Sequence, residues 1–224
     1  ADITKDRKVK SIAVTHTNND YGKGLADVYV AAVKAHGINV TAVTAHEEGK
    51  GDYGAEVATL AAAGGDALAV LGYLDQAGGM IIQGSLDSGA FDVFVLSDGM
   101  IGDSLTDRFG KDLNKSFGSL PGSTGKGAGK FAEVAKAGGI DSSGPYTGDA
   151  YDAAALIALS MQAGGNADRG TIQANVMNVA NAPGTKIYPG ELKKALDLLA
   201  KGKKVNYEGC LLYTSPSPRD TLLS

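Results

Sequence analysis

Four short apolar runs punctuate the first half of the chain at a spacing of a little under thirty residues: SIAVT (11–15), NVTAVT (39–44), ALAVLG (67–72) and DVFVLS (92–97). Runs of this length, rich in Val, Ile, Leu and Phe and bounded by polar or Gly positions, read as strands. Between the first two, Leu25, Val28, Tyr29, Ala32 and Val33 recur as i, i+3, i+4, i+7 and i+8, the inward stripe of an amphipathic helix, with Gly37 placed to end it. Between the next two, Tyr53, Val57, Leu60 and Ala61 do the same ahead of Gly64 and Gly65, and a third helix is predicted over about 78–88 with Gly89 as its stop. Strands alternating with helices at this period specify βαβ crossovers and an α/β, doubly wound parallel sheet covered on both faces.

Beyond Gly99 the order loosens into a Gly, Ser and Lys mixture (118–129), a helix predicted over 130–137, and a connector, GGIDSSGPY (138–146). Three further helical patterns follow at 149–165, 169–180 and 189–204, with no run that reads as a strand among them. Such helices cannot build a two-layer α/β lobe by themselves, so Ile157, Leu159, Met161, Leu192, Leu196 and Leu199 are expected to lack a partner sheet. The expected plan is an α/β lobe over 1–138, then a crossover and helices over 139–209 that belong to a second, mostly absent lobe.

Composition narrows the function classes. Hydrophobic residues make up 43% of 224, enough for a buried core. Lys and Arg total 21 against 25 Asp and Glu, a formal charge of -4 with no basic block, which argues against nucleic acid as a partner. No stretch approaches the roughly 20 apolar residues of a membrane span, so no direct membrane insertion is expected. The sequence opens at Ala1 with no leader to judge, and an upstream amino-terminal portion is expected. At the other end CLLYTSPSPRD (210–220) abandons the Ala, Gly and Lys idiom of the rest. It resembles the conceptual translation of a transposase adapter used in sequencing libraries, so 210–224 is set aside as a non-native tail. The lone Cys210 falls inside it and carries no redox information.

In an open parallel sheet, ligands bind outside the carboxyl ends of the strands. The residues that follow the runs there are Tyr21, Tyr73 and Asp98. A carboxylate can hold the ammonium of an amino acid, and two tyrosines add hydroxyls and flat apolar faces. Position alone leaves a plainer alternative, with Tyr73 a half-buried aromatic and Asp98 a turn or N-cap residue before Gly99.

Other motifs carry less. GSTGKGAGK (122–130) lacks the first Gly of a phosphate loop, and Phe131 stands where Ser or Thr would hold magnesium. DYGKG (20–24) lacks the third Gly of a dinucleotide fingerprint. His16, His36 and His46 have no metal-ligand spacing and are expected on the surface or in loops, and Glu47 and Glu48 in a solvated loop. No nucleophile elbow or catalytic set is found, so no enzyme, cofactor or metal is expected.

Four blocks, SIAVTHTNNDYGKGLAD (11–27), VLGYLDQAGGMIIQ (70–83), VLSDGM (95–100) and SGPYTGDAYDAAALIALSMQ (143–162), resemble in order those of the periplasmic branched-chain amino acid-binding family, the leucine-binding-protein-like, type I periplasmic binding fold. The resemblance implies a substrate-binding component of an ABC importer, periplasmic, monomeric when complete, that captures a small-molecule amino acid ligand and presents it to a permease in the inner membrane. It also implies that Tyr21 and Tyr73 line the ligand cleft and that Asp98 holds the ammonium. Some members carry Glu at the last place, so the shorter Asp leaves the identity of the ligand open. The ligand carboxylate is held, in that family, by an amino-terminal lobe that would precede Ala1. A sensory ligand-binding domain of the same fold, in a receptor or a transcription regulator, is the alternative.

Overall fold

The structure, a computed structural model, describes residues 8–120 and 125–210. The tail 211–224 and the start of the glycine-rich string at 122–130 lie outside the described residues. By its internal contacts the chain divides into two units, Ala1–Leu120 and Pro121–Ser224.

The first unit is a parallel sheet of five strands in the order β2-β1-β3-β4-β5. The strands are β1 (Ser11–Thr17), β2 (Asn39–His46), β3 (Ala67–Leu71), β4 (Phe94–Leu96) and β5 (Phe117–Gly118). They alternate with α1 (Asp20–Ala35), α2 (Gly54–Ala63), α3 (Gly79–Ser88) and α4 (Asp103–Phe109). The doubly wound α/β class expected from the sequence is therefore present.

Side-chain alternation explains why both faces carry helices. Ile12 and Val14 of β1 and Ala67, Ala69 and Leu71 of β3 point to one face, where Ala26 and Val33 of α1 cover them. Their neighbours Ala13, Leu68 and Val70, with Phe94 and Leu96, point the other way onto Val57 and Leu60 of α2 and Ile81 and Ile82 of α3. Each strand thus feeds two cores, which is why β1 and β3 read as nearly continuous apolar runs. The edge strand β2 has one wet side and leaves Val43 48% exposed. At the amino ends, Asp66 Oδ2 accepts the N–H groups of Lys10 and Ser11 at 2.8 and 2.9 Å, tying the entry of β3 to that of β1.

Of the expected inward stripe of α1, Leu25, Tyr29 and Val33 pack toward the sheet, but Val28 and Ala32 do not. The buried positions of the helix are Gly22, Ala26 and Val33, whereas Val28 is 65% exposed and Ala32 is also exposed. The close seating of Gly22 against β1 turns the helix so that Ala26 and Val33, not Val28 and Ala32, face the sheet. A Cβ at Gly22 would lie 2.2 Å from the Thr17 carbonyl oxygen, so nothing larger fits.

The second unit holds α5 (Lys126–Ala137), α6 (Thr147–Gly164), α7 (Arg169–Ala180) and α8 (Leu192–Ala200). It also holds two strands that the sequence reading did not find, β6 (Thr185–Ile187) and β7 (Val205–Tyr207), paired in parallel. Ala155, Leu156 and Leu159 of α6, Val179 of α7, Ala195 of α8 and Ile187, Val205 and Tyr207 of the strands form one small core. Leu159, expected to lack a partner, is fully buried, and Leu192, Leu196 and Leu199 pack against the same core, while Ile157 remains 46% exposed. Three-residue strands are too short to leave a period-two signature, which is why periodicity passed over them. The division of the chain at Leu120 groups α5 with this unit rather than with the first, ahead of the boundary expected near 138. Cys210, the first residue of the segment set aside as a tail, is buried beside Phe131, with Tyr151 packed against them.

Leu60 is fully buried in the core between α2 and the sheet. Leu60→Ala should cost about 2–5 kcal/mol of stability in urea unfolding followed by far-ultraviolet circular dichroism; a change below about 1 kcal/mol would contradict the packing described.

Candidate functional site at the strand ends

The order 2-1-3-4-5 places β1 beside β3 although the chain leaves them in opposite directions, to β2 on one side and to β4 on the other. That reversal opens a crevice at the carboxyl ends of β1 and β3, the usual place for a ligand in such sheets. Three turns meet there. After β1, Asn19 Oδ1 accepts the Gly22 N–H at 2.9 Å and caps α1, setting Tyr21 in its first turn. After β3, Gly72 and Tyr73 lead into an irregular turn, Leu74–Gly78, kinked at Gln76. After β4, Ser97 leads into a single 3-10 turn, Asp98–Met100.

The three residues expected on one edge stand together. The rings of Tyr21 and Tyr73 stack with centroids 5.4 Å apart and planes inclined by 24°. Tyr21 Oη donates to Asp98 Oδ1 at 2.5 Å and lies 3.2 Å from Ser97 Oγ. Ser97, 6% exposed, in turn accepts the Gly72 N–H at 3.3 Å and so joins the ends of β3 and β4. Burial, then the hydrogen bond to Asp98, raises the Tyr21 phenol above its usual range, keeping it a neutral donor to the carboxylate. Gly99 permits this approach. A Cβ there would lie 2.4 Å from the Gly72 carbonyl oxygen and 3.1 Å from Tyr73 Cδ1.

Chemically the cluster is a carboxylate held by a phenol beside two stacked aromatic faces. A carboxylate has about four acceptor positions, enough to hold several donors at once, an ammonium among them. Ser97 was not singled out in the sequence, although its place directly after a strand was the available signal.

Two expectations about neighbouring polar residues are corrected. His16 and His46 are not surface or loop residues but belong to β1 and β2 and are 9% and 1% exposed; only His36, after α1, is exposed. His46 Nδ1 lies 2.8 Å from Thr15 Oγ1, which satisfies one ring nitrogen inside the sheet. Glu48 is not freely solvated either, since its Oε2 accepts the Ala77 N–H at 2.8 Å. Glu47 is exposed, and its Oε1 takes the Asn18 amide at 2.5 Å. Among the described residues no group of three or more His, Cys, Asp or Glu is placed to hold a metal ion, and no helix is long and apolar enough to cross a membrane.

Comparison with known proteins adds to this geometry. The chain superposes on a type 1 periplasmic binding protein of Bordetella pertussis with a TM-score of 0.64 at 22% identity, over 79% of this chain and 52% of that one. The chain has the type I periplasmic binding fold. A leucine-binding protein, LivK, of Thermotoga maritima gives a TM-score of 0.63 at 20% identity, over 80% of this chain and 52% of that one. In sequence, 87 residues are 34% identical to a Leu/Ile/Val-binding protein homolog of Brucella melitensis, covering 39% of this chain and 23% of the relative. Another 65-residue match, 35% identical, is to the chemotactic substrate-binding protein BasB of Halobacterium salinarum, over 29% of this chain and 16% of the relative. These likenesses bear out the resemblance to the branched-chain amino acid-binding family. No protein-family profile matches. The chain thus spans about half the length of the structures it matches and less than a quarter of the curated relatives. All four are described as binding proteins.

Burial holds the His46 imidazole below the ordinary value of 6.5, against the opposing pull of Glu48; His16 adds to the lowering and Glu56 and Glu47 oppose it. An unfolded chain therefore takes up the proton first as pH falls. The stability that neutral His46 supports is complete above about pH 6.5 and is lost as pH drops through the lower folded value. Thermal melts from pH 7.5 to 5 should show a fall in Tm that is smaller in His46→Gln; equal slopes would contradict this placement.

Proposed function

We propose that this chain is part of a substrate-binding protein that captures an amino acid, with Asp98 taking the ligand's ammonium and Tyr21 and Tyr73 flanking its side-chain end. The observation that carries the reading is the carboxylate at the β1/β3 switch point, oriented by a 2.5 Å phenol hydrogen bond and bordered by stacked tyrosines. An ammonium in a partly dried site needs such a carboxylate, because an unpaired charge there is costly. The cluster offers no nucleophile with an adjacent base, which favours capture over bond-making.

In the complete protein, a second lobe would close over the ligand and supply the partners of its carboxylate, and hinge motion rather than chemistry would perform the function. We place that protein in the periplasm, as a monomer delivering its ligand to an ABC permease of the inner membrane. Relatives described as Leu/Ile/Val-binding and leucine-binding support this. The chemotactic description of the BasB relative supports a second reading, in which a protein of the same fold reports its ligand to a sensory partner.

Calorimetric titration of the complete protein with leucine tests the site. Asp98→Ala should weaken binding by about 2–5 kcal/mol, since it leaves a closed-in ammonium unpaired, and Asp98→Asn should lose most of the same affinity because shape is kept and charge is not. Unchanged affinity in Asp98→Ala would remove the assigned role.

A further inference from the structure

Beside the tyrosine cluster lies a second polar group that ligand capture as described leaves unused. Glu48 follows β2 by two residues, and its side chain is 22% exposed. Its Oε2 accepts the N–H of Ala77, a fully buried residue in the kinked turn that starts directly after Tyr73. That turn is irregular, with Gln76 at φ -121 and ψ -135, outside helical values. Within it the N–H groups of both Gln76 and Gly78 go to the Tyr73 carbonyl, at 3.3 and 3.1 Å, while the Ala77 N–H finds its acceptor outside the turn, on Glu48. A buried backbone donor needs an acceptor, and here a side chain from the end of β2, on the far side of β1, provides it.

The other carboxylate oxygen points inward. Glu48 Oε1 is buried with no hydrogen-bond partner and lies 3.7 Å from His46 Nε2, which is also buried and unpartnered. The Glu48 carboxylate beside Nε2 favours the neutral tautomer with its hydrogen there, which leaves Nδ1 to accept from the Thr15 hydroxyl. At 3.7 Å the two do not form a direct hydrogen bond, but the imidazole gives the carboxylate a complementary dipole on its buried side.

We infer that Glu48 is a positioning residue for the ligand cleft: its carboxylate, backed by His46, fixes the Ala77 amide and through it the turn that presents Tyr73 to Tyr21. The role in binding rests on the amino acid-capture reading above; the role in holding the turn does not. A residue that only stapled a loop would leave the ring stack and the ligand affinity unmoved when replaced.

The absence of tryptophan makes the near-ultraviolet dichroism above 275 nm a report on the tyrosines, and amide exchange followed by NMR reads Ala77 directly. On the full chain, Glu48→Ala should speed exchange at Ala77 about tenfold or more and change the tyrosine dichroism, with β1 and β3 amides still protected. Glu48→Gln, which keeps an acceptor oxygen, should restore both. If Glu48→Ala does not fold, Glu48→Asp, one methylene short of the Ala77 amide, takes its place. In the complete protein the same variants should weaken leucine binding about tenfold for Ala and about threefold or less for Gln. Unchanged Ala77 exchange and dichroism in the Ala or Asp variant overturns the inference, as does unchanged leucine affinity in a complete protein that binds leucine. A wild-type complete protein that binds no leucine counts against the capture reading, and the exchange and dichroism results then decide the inference alone.

Discussion

Parallel pairing of β1 with β3 is the constraint on which the first unit depends. Because the strands run the same way, every one of them delivers its following turn to the same edge. Because the chain departs from β1 and β3 to opposite sides, those turns part there instead of closing over the sheet. Tyr21, Tyr73 and Asp98 are far apart in sequence and meet for this reason alone. The two apolar faces of the sheet enforce the register, since a slip of one residue would turn Leu68 and Val70 away from α2 and α3 and onto α1.

Much of this was legible along the chain because it is written locally. Fully buried strands show as apolar runs, and β1 through β4 stand where those runs were read, with ends extended or trimmed by two residues at most. Gly89 ends α3 with φ of 68°, in keeping with its reading as a stop. The positions of Tyr21, Tyr73 and Asp98 followed from one rule about strand ends, which needs only the strand assignments.

What escaped is what only three dimensions specify. His46 sits at the end of an edge strand, where a polar residue is ordinarily wet; it is buried because Tyr53 approaches from the start of α2 with its ring at 89° to the imidazole. Glu48 looked like one of a solvated acidic pair until the turn after β3 brought the Ala77 N–H to it across 29 residues. The brief strands β6 and β7 owe their existence to pairing between segments about twenty residues apart, and the polar Lys186 and Asn206 within them mask any apolar pattern. The stripe of α1 was misread at Val28 for a related reason, since Gly22 seats the helix and periodicity weighs bulk rather than clearance.

Clearance also bears on how the pocket could be remodelled. With the Gly72 carbonyl and the Tyr73 ring crowding the place a side chain would occupy, Gly99 is a floor that cannot be raised. Any change in ligand preference must therefore come from its walls: the reach of the acid at 98, the rings at 21 and 73, or the turn that carries the second ring. Redesign of this lobe is a problem in lengthening or tilting what already lines the crevice, not in filling it from beneath.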